Sequence, residues 1–200
     1  MKENSELRSI ARSQLKGSWL AAVGVTFIYM IIVSLSGFTV VGPIILGGPL
    51  AIGFYGYFIR KARNETVKLE NLFDGFKLFG SSFLLFLLQM IFITLWTCLL
   101  FIPGIVKSFS YSMAFYILRD NPNLGASEAI TASRKMMNGY KGKLFGLYLS
   151  FIGWALLSVI TLGIGVFWLI PYMQQATADF YEDLKGRNEA SIAEPNGQSN

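Results

Sequence analysis

Residues 17–59 read GSWLAAVGVTFIYMIIVSLSGFTVVGPIILGGPLAIGFYGYFI, forty-three positions without a charged side chain. A helix crosses the ~30 Å hydrocarbon core of a bilayer in about 20 residues, at 1.5 Å per residue. The run is too long for one crossing and suited to two. Gly37, Gly42-Pro43 and Gly47-Gly48-Pro49 interrupt it midway, and these residue types break helices by freeing φ or removing a backbone donor. The pattern recurs twice. Residues 78–118 carry only Lys107 and are broken at Pro103-Gly104, and residues 144–178 carry no charge and are broken at Gly163-Ile164-Gly165. The sequence therefore predicts an all-α polytopic membrane protein with six transmembrane helices as three helical hairpins. The spans fall near residues 18–36, 46–62, 80–102, 105–119, 144–161 and 166–184. Around this 18–185 membrane domain lie a cytoplasmic amphipathic segment at 1–17 and a polar tail at 186–200, expected to be disordered.

Composition agrees. Apolar types make up 53% of the 200 residues and charged types 14%, against roughly 25% charged in soluble domains. With no His and one Cys, an imidazole-based triad, a His/Cys zinc site and an internal disulfide are excluded. No cofactor is called for, and Cys98 reads as an inert packed thiol.

Charge placement gives orientation. The segments 1–16, 60–79, 119–143 and 184–200 hold sixteen of the seventeen Lys and Arg, leaving Lys107 alone on the opposite face. Positive loops stay cytoplasmic, so both termini are expected inside. This placement also accounts for the net charge of +5 without nucleic acid as a partner. Trp19, Tyr29, Trp96, Tyr111, Trp154, Trp168 and Tyr172 are scattered along the spans without forming interfacial belts.

The three hairpins share an order: a basic segment ending in Lys16, Lys77 or Lys141, a span, a Gly/Pro turn, and an aromatic-rich return. Leu72-Phe73-Asp74-Gly75-Phe76-Lys77 echoes Met136-Met137-Asn138-Gly139-Tyr140-Lys141. Two readings stand, an internal triplication or the order any helical hairpin needs.

The candidate functional residues are few. On 7–16, Leu7, Ile10, Ala11 and Leu15 share one face beside Arg8, Arg12 and Lys16, and on 125–138 the apolar residues oppose Glu128, Arg134 and Lys135. These five cations are candidate contacts for anionic lipid headgroups or for a membrane-protein partner; the plainer reading is topology determination with the helices resting on headgroups. Ionisable groups inside a span are functional candidates by default. Lys107 and Asp179 lie toward span ends and read as interface anchors. Gln89, Gln174 and Gln175 form a candidate polar intramembrane site, since amides in hydrocarbon must find partners, with Pro171 expected to kink the helix beside the last two. No acid/base pair suited to catalysis is present, because Glu182 and Asp183 are adjacent and do not face each other.

Several short motifs occur together: Glu6-Leu7-Arg8-Ser9-Ile10-Ala11-Arg12, Asn71-Leu72-Phe73-Asp74-Gly75-Phe76, Pro103-Gly104-Ile105-Val106-Lys107, Tyr111-Ser112-Met113-Ala114-Phe115-Tyr116, Asp120-Asn121-Pro122, Ser150-Phe151-Ile152-Gly153-Trp154, Pro171-Tyr172 and Phe180-Tyr181-Glu182-Asp183-Leu184. As a set, over residues 5–185, they resemble the bacterial integral membrane proteins of the domain of unknown function 975 family. The resemblance implies a multi-pass protein of the bacterial plasma (inner) membrane with no established activity. It is similar, more distantly, to the membrane domain attached to some glycerophosphodiester phosphodiesterases, whose catalytic domain is not in this sequence. The expected function is non-enzymatic, binding or organising lipids or partner membrane proteins. The alternative is a small transporter lined by the three glutamines.

Overall fold

A computed structural model describes residues 2–39, 41–99 and 101–193. Among them the elements are helical throughout. They are α1 (Asn4–Leu15), α2 (Trp19–Ser36), α3 (Gly42–Ala62), a 3-10 segment (Leu69–Leu78), α4 (Phe79–Leu99), α5 (Phe101–Tyr111), α6 (Ala114–Asp120), α7 (Ala126–Met136), α8 (Lys141–Leu149), α9 (Ile152–Ile160) and α10 (Val166–Ala193). Four stretches are long and apolar enough to cross a membrane: Trp19–Ser36, Gly42–Ala62, Leu69–Leu99 and Lys141–Ile160. The segments expected as fourth and sixth spans differ in kind. Residues 105–119 are divided between α5 and α6, while 166–184 form part of the longest helix, whose middle is buried in protein.

Each charge-free run folds back on itself, with α2 packed on α3, α4 on α5, and α9 on α10. The breakers act differently from expectation in the first two runs. Gly47-Gly48-Pro49 lies inside α3, and Pro103-Gly104 lies near the start of α5, where a proline has no intrahelical bond to lose. The glycines of α3 instead permit close approach. A Cβ on Gly48 would collide with the Ser82 carbonyl, and one on Gly53 with the Leu72 carbonyl. Small residues serve this purpose wherever helices must touch backbone to backbone.

The buried side chains form two clusters, the larger built on α1, α3, α8 and α10 and the smaller on α3, α4, α6 and α7. Leu7, Ala11 and Leu15 of α1 are fully buried with Phe58 of α3, Leu144 and Leu147 of α8, and Ala176 and Phe180 of α10. The rings of Tyr116 and Tyr181 stack at 5.3 Å, and those of Tyr29 and Phe54 at 4.3 Å. Away from this core the helices expose large apolar side chains, among them Leu20, Leu99, Val159, Ile160 and Leu162, a surface suited to hydrocarbon. Cys98, expected to be packed, is exposed near the end of α4.

The proposed repeat echo folds in two ways. Residues 72–77 lie in the 3-10 segment, whereas 136–141 end α7 and turn through Gly139 at φ 79°. The tail expected to be disordered from Gly186 continues α10 as helix to Ala193; residues 194–200 lie outside the described residues. The helix runs through Pro171 without ending.

Candidate functional site

The two amphipathic basic helices bury their apolar faces on protein rather than leaving them free for lipid. α1 packs on α10, α3 and α8, and α7 on α4, α5 and α6. Ala126, Ala129 and Ile130 of α7 are buried. Its start is fixed by Glu128, whose carboxylate accepts the Gly125 N–H at 2.7 Å, half of a capping box because glycine has no side chain to return the bond. With these faces occupied, the cations are held at defined places. Arg12, Lys16, Arg134 and Lys135 are exposed.

Around α1, Arg8 donates from Nη1 to the Ser150 carbonyl at 2.8 Å, and its backbone carbonyl accepts the Tyr172 hydroxyl at 3.0 Å. The Arg12 guanidinium lies 5.8 Å from the Tyr172 ring centre and 6.0 Å from that of Trp154, within the range where a cation is attracted to an aromatic face. Beside it opens a groove of about 280 Å³ between α2, α9 and α10, walled by Trp19, Trp154, Leu157, Trp168 and Tyr172 with Arg12 at one end. Sequence reasoning missed this convergence. The aromatics are dispersed over 154 positions of sequence, and the nearest signal was Arg12 placed seven residues before Trp19.

Around α7, Ser133 ties the helix to α5. Its hydroxyl donates to the Ser110 carbonyl at 2.8 Å and accepts the Met113 N–H at 3.2 Å. This join brings Lys107 near α7. Expected alone at the outer boundary, it lines one pocket with Arg134, Lys135 and Lys141. The physical reason is that α5 meets α7 at Ser110, one helical turn from Lys107. Its ammonium lies 4.5 Å from the Trp96 ring centre.

The intramembrane polar residues do not form one site. Gln89 donates to the Tyr111 carbonyl at 3.0 Å, Gln174 accepts from the Tyr116 hydroxyl at 3.4 Å, and Gln175 donates to Gln14 of α1 at 2.6 Å. Asp179, expected as an interface anchor, is corrected to an interior residue. It is 4% exposed and sits within reach of Gln14 and Gln175, because α1 docks over this part of α10. Gln175 Oε1 and Asp179 Oδ2 are both buried without a partner, an arrangement that is costly to leave unmet.

A charged cluster gathers at Asp120. Asp120 Oδ2 accepts from Arg63 at 2.6 Å, Lys185 at 2.7 Å and the Tyr181 hydroxyl at 3.0 Å, and Arg63 also bonds Glu182 at 2.8 Å. Burial pushes the Asp120 carboxyl up, but the bonds and charges of Arg63 and Lys185 outweigh it and hold it below its ordinary value. The cluster joins the ends of α3 and α6 to α10.

Neither a curated protein nor a solved structure matches the chain. A family model described as a protein of unknown function, DUF975, matches it in two stretches, residues 1–107 and 98–188. Together these stretches take in both basic helices, the groove and the charged cluster, and the chain belongs to the DUF975 family.

Proposed function

We propose that this is a non-enzymatic protein of the bacterial plasma membrane that binds or organises anionic lipids through the cationic faces of α1 and α7. The observation that carries the reading is the seating of both helices. Their apolar faces are taken up by protein, so Arg12, Lys16, Arg134 and Lys135 are presented outward from fixed positions. Anionic headgroups attract such residues by about 1 kcal/mol for each Lys or Arg near the surface. A membrane-protein partner with an acidic surface is the competing occupant. The transport reading would need the three glutamines on a shared path, and each is held by a different partner.

For topology we propose six helices in three hairpins with both termini cytoplasmic. Four stretches are long and apolar enough to cross, and returns through α5–α6 and α10 would keep residues 119–143 and the C-terminal segment on the side of the N-terminus. In a Cys98→Ala background, a cysteine at Ser36 should react with an impermeant thiol reagent from outside, and one at Ser127 only after the membrane is opened. External labelling at Ser127 would refute the arrangement. For function, lipid retained by the protein in mild detergent should be enriched in phosphatidylglycerol relative to the source membrane. Retention in bulk proportion, with an acidic membrane protein crosslinked to α1 or α7, would replace lipid by a protein partner.

A further inference from the structure

The α1 surface carries a more specific assignment than charge alone. The groove between α2, α9 and α10 is walled almost wholly by apolar groups. The three hydroxyls at its wall all donate within the protein, Ser158 to the Trp154 carbonyl at 2.9 Å, Thr161 to the Ser158 carbonyl at 3.0 Å and Tyr172 to the Arg8 carbonyl at 3.0 Å. A polar solute would not match a wall this apolar. Hydrocarbon would, and Leu156, Val159 and Ile160 of α9 are exposed alongside.

At the Arg12 end the chemistry reverses. A second hollow, sharing Arg12 and Tyr172 with the groove, is lined by Ser5, Arg8 and Ser9. It offers two guanidiniums and two hydroxyls with no carboxylate. Arg8 is held there by its Nη1 bond to the Ser150 carbonyl at 2.8 Å, and its Nε is buried without a hydrogen-bond partner. Guanidinium groups match phosphate oxygens in geometry as well as charge. One end of the surface therefore calls for an anion and the other for hydrocarbon, a combination that one molecule of anionic phospholipid supplies.

Resting on the lipid-binding reading above, we propose that this composite site holds a single anionic phospholipid, with its phosphate on Arg12 and Arg8 and one acyl chain in the groove along Trp19, Trp154, Leu157 and Trp168. The test is native mass spectrometry of the full chain released from detergent, titrated with dioleoyl phosphatidylglycerol, with the matching phosphatidylcholine, and with glycerophosphoglycerol, the headgroup without chains. The first bound lipid should be phosphatidylglycerol, and glycerophosphoglycerol should neither bind nor displace it. Arg12→Gln should weaken that first binding by about fivefold, and Leu157→Trp, which fills the groove, by at least as much. Both positions are exposed, so neither change removes a core contact. The double variant Arg134→Gln/Lys135→Gln probes the other basic face, and Lys143→Gln, an exposed cation outside both basic helices, is the control that should leave the first binding intact. If Arg12→Gln and Leu157→Trp bind as the parent does while the α7 variant loses the lipid, the groove assignment falls and the broader reading survives. If no form prefers phosphatidylglycerol to phosphatidylcholine, both fall. Displacement by glycerophosphoglycerol overturns the acyl-chain assignment.

Discussion

The α1 and α7 helices present similar charge to different surroundings. Arg12 stands at the end of an apolar groove walled by three tryptophans, with a second arginine, Arg8, behind it. Arg134 and Lys135 stand in a pocket that adds Lys107, Lys141 and the polar side chains of Ser110, Thr131 and Asn138. The first site has fewer cations and a place for hydrocarbon; the second has more cations and none. Long-range attraction depends on charge and is screened by salt within about 8–10 Å at physiological strength, whereas retention of an amphiphile also depends on burying its apolar part. The difference teaches that, of the two surfaces, the one suited to a whole lipid under the proposed reading is the one with less positive charge.

The comparison breaks most severely if α1 is unseated. Leu7 is fully buried, and an aspartate there would put an unpaired carboxylate into the core, a change that exceeds the ~2–5 kcal/mol of simple truncation to Ala. Leu7→Asp should therefore abolish selective phosphatidylglycerol binding at α1 and lower the thermal midpoint in detergent. Surviving selectivity would show that α1 contributes nothing to it.

A smaller effect, of about 2 kcal/mol for the loss of charged hydrogen bonds, is expected for Asp120→Asn. It would weaken the ties between α3, α6 and α10, which support both basic sites at once. The pH dependence has a definite sign. The folded carboxyl lies below its ordinary value, so its stabilisation is present above the unfolded value of about 4 and is lost as pH falls through the folded value. The parent should lose stability across that acid window, and Asp120→Asn should lose less.

Salt sharpens the comparison further. Raising ionic strength should weaken association at the α7 pocket steeply and at the α1 site weakly, since hydrocarbon burial is not screened. Arg134→Gln/Lys135→Gln should accordingly reduce vesicle binding at low salt with little change at high salt, measured by flotation. The smallest effect belongs to Lys107→Met. Loss of its contact with Trp96 removes about 0.5–1 kcal/mol, visible as a modest change in thermal midpoint with the α1 site unchanged.

Much of the helical plan is legible in residues 17–59, 78–118 and 144–178, because the absence of charge over 35 or more positions, Lys107 aside, is a local property that only a few environments tolerate. The basic faces of α1 and α7 were legible for the same reason, through helical periodicity. What these faces pack against was not. Leu7, Ala11 and Leu15 give the same pattern whether they meet lipid or α10. Gly48 and Gly53 look like breakers in sequence, and only the positions of Ser82 and Leu72 turn them into contact points. Asp179 sits near the end of a charge-free run, which suggested the membrane surface; its burial depends on Gln14, 165 positions away. The groove was least accessible of all, since Trp19, Trp154 and Trp168 come from three helices and acquire a common purpose only when α2, α9 and α10 meet.

The distribution of tryptophan has an optical consequence. The chain contains four: three wall the groove and the fourth, Trp96, lies under Lys107. Three of the four indole emitters therefore report on the groove. A Trp96→Phe variant would emit from the groove alone, so that a brominated acyl chain entering it would quench the whole signal, without any added dye.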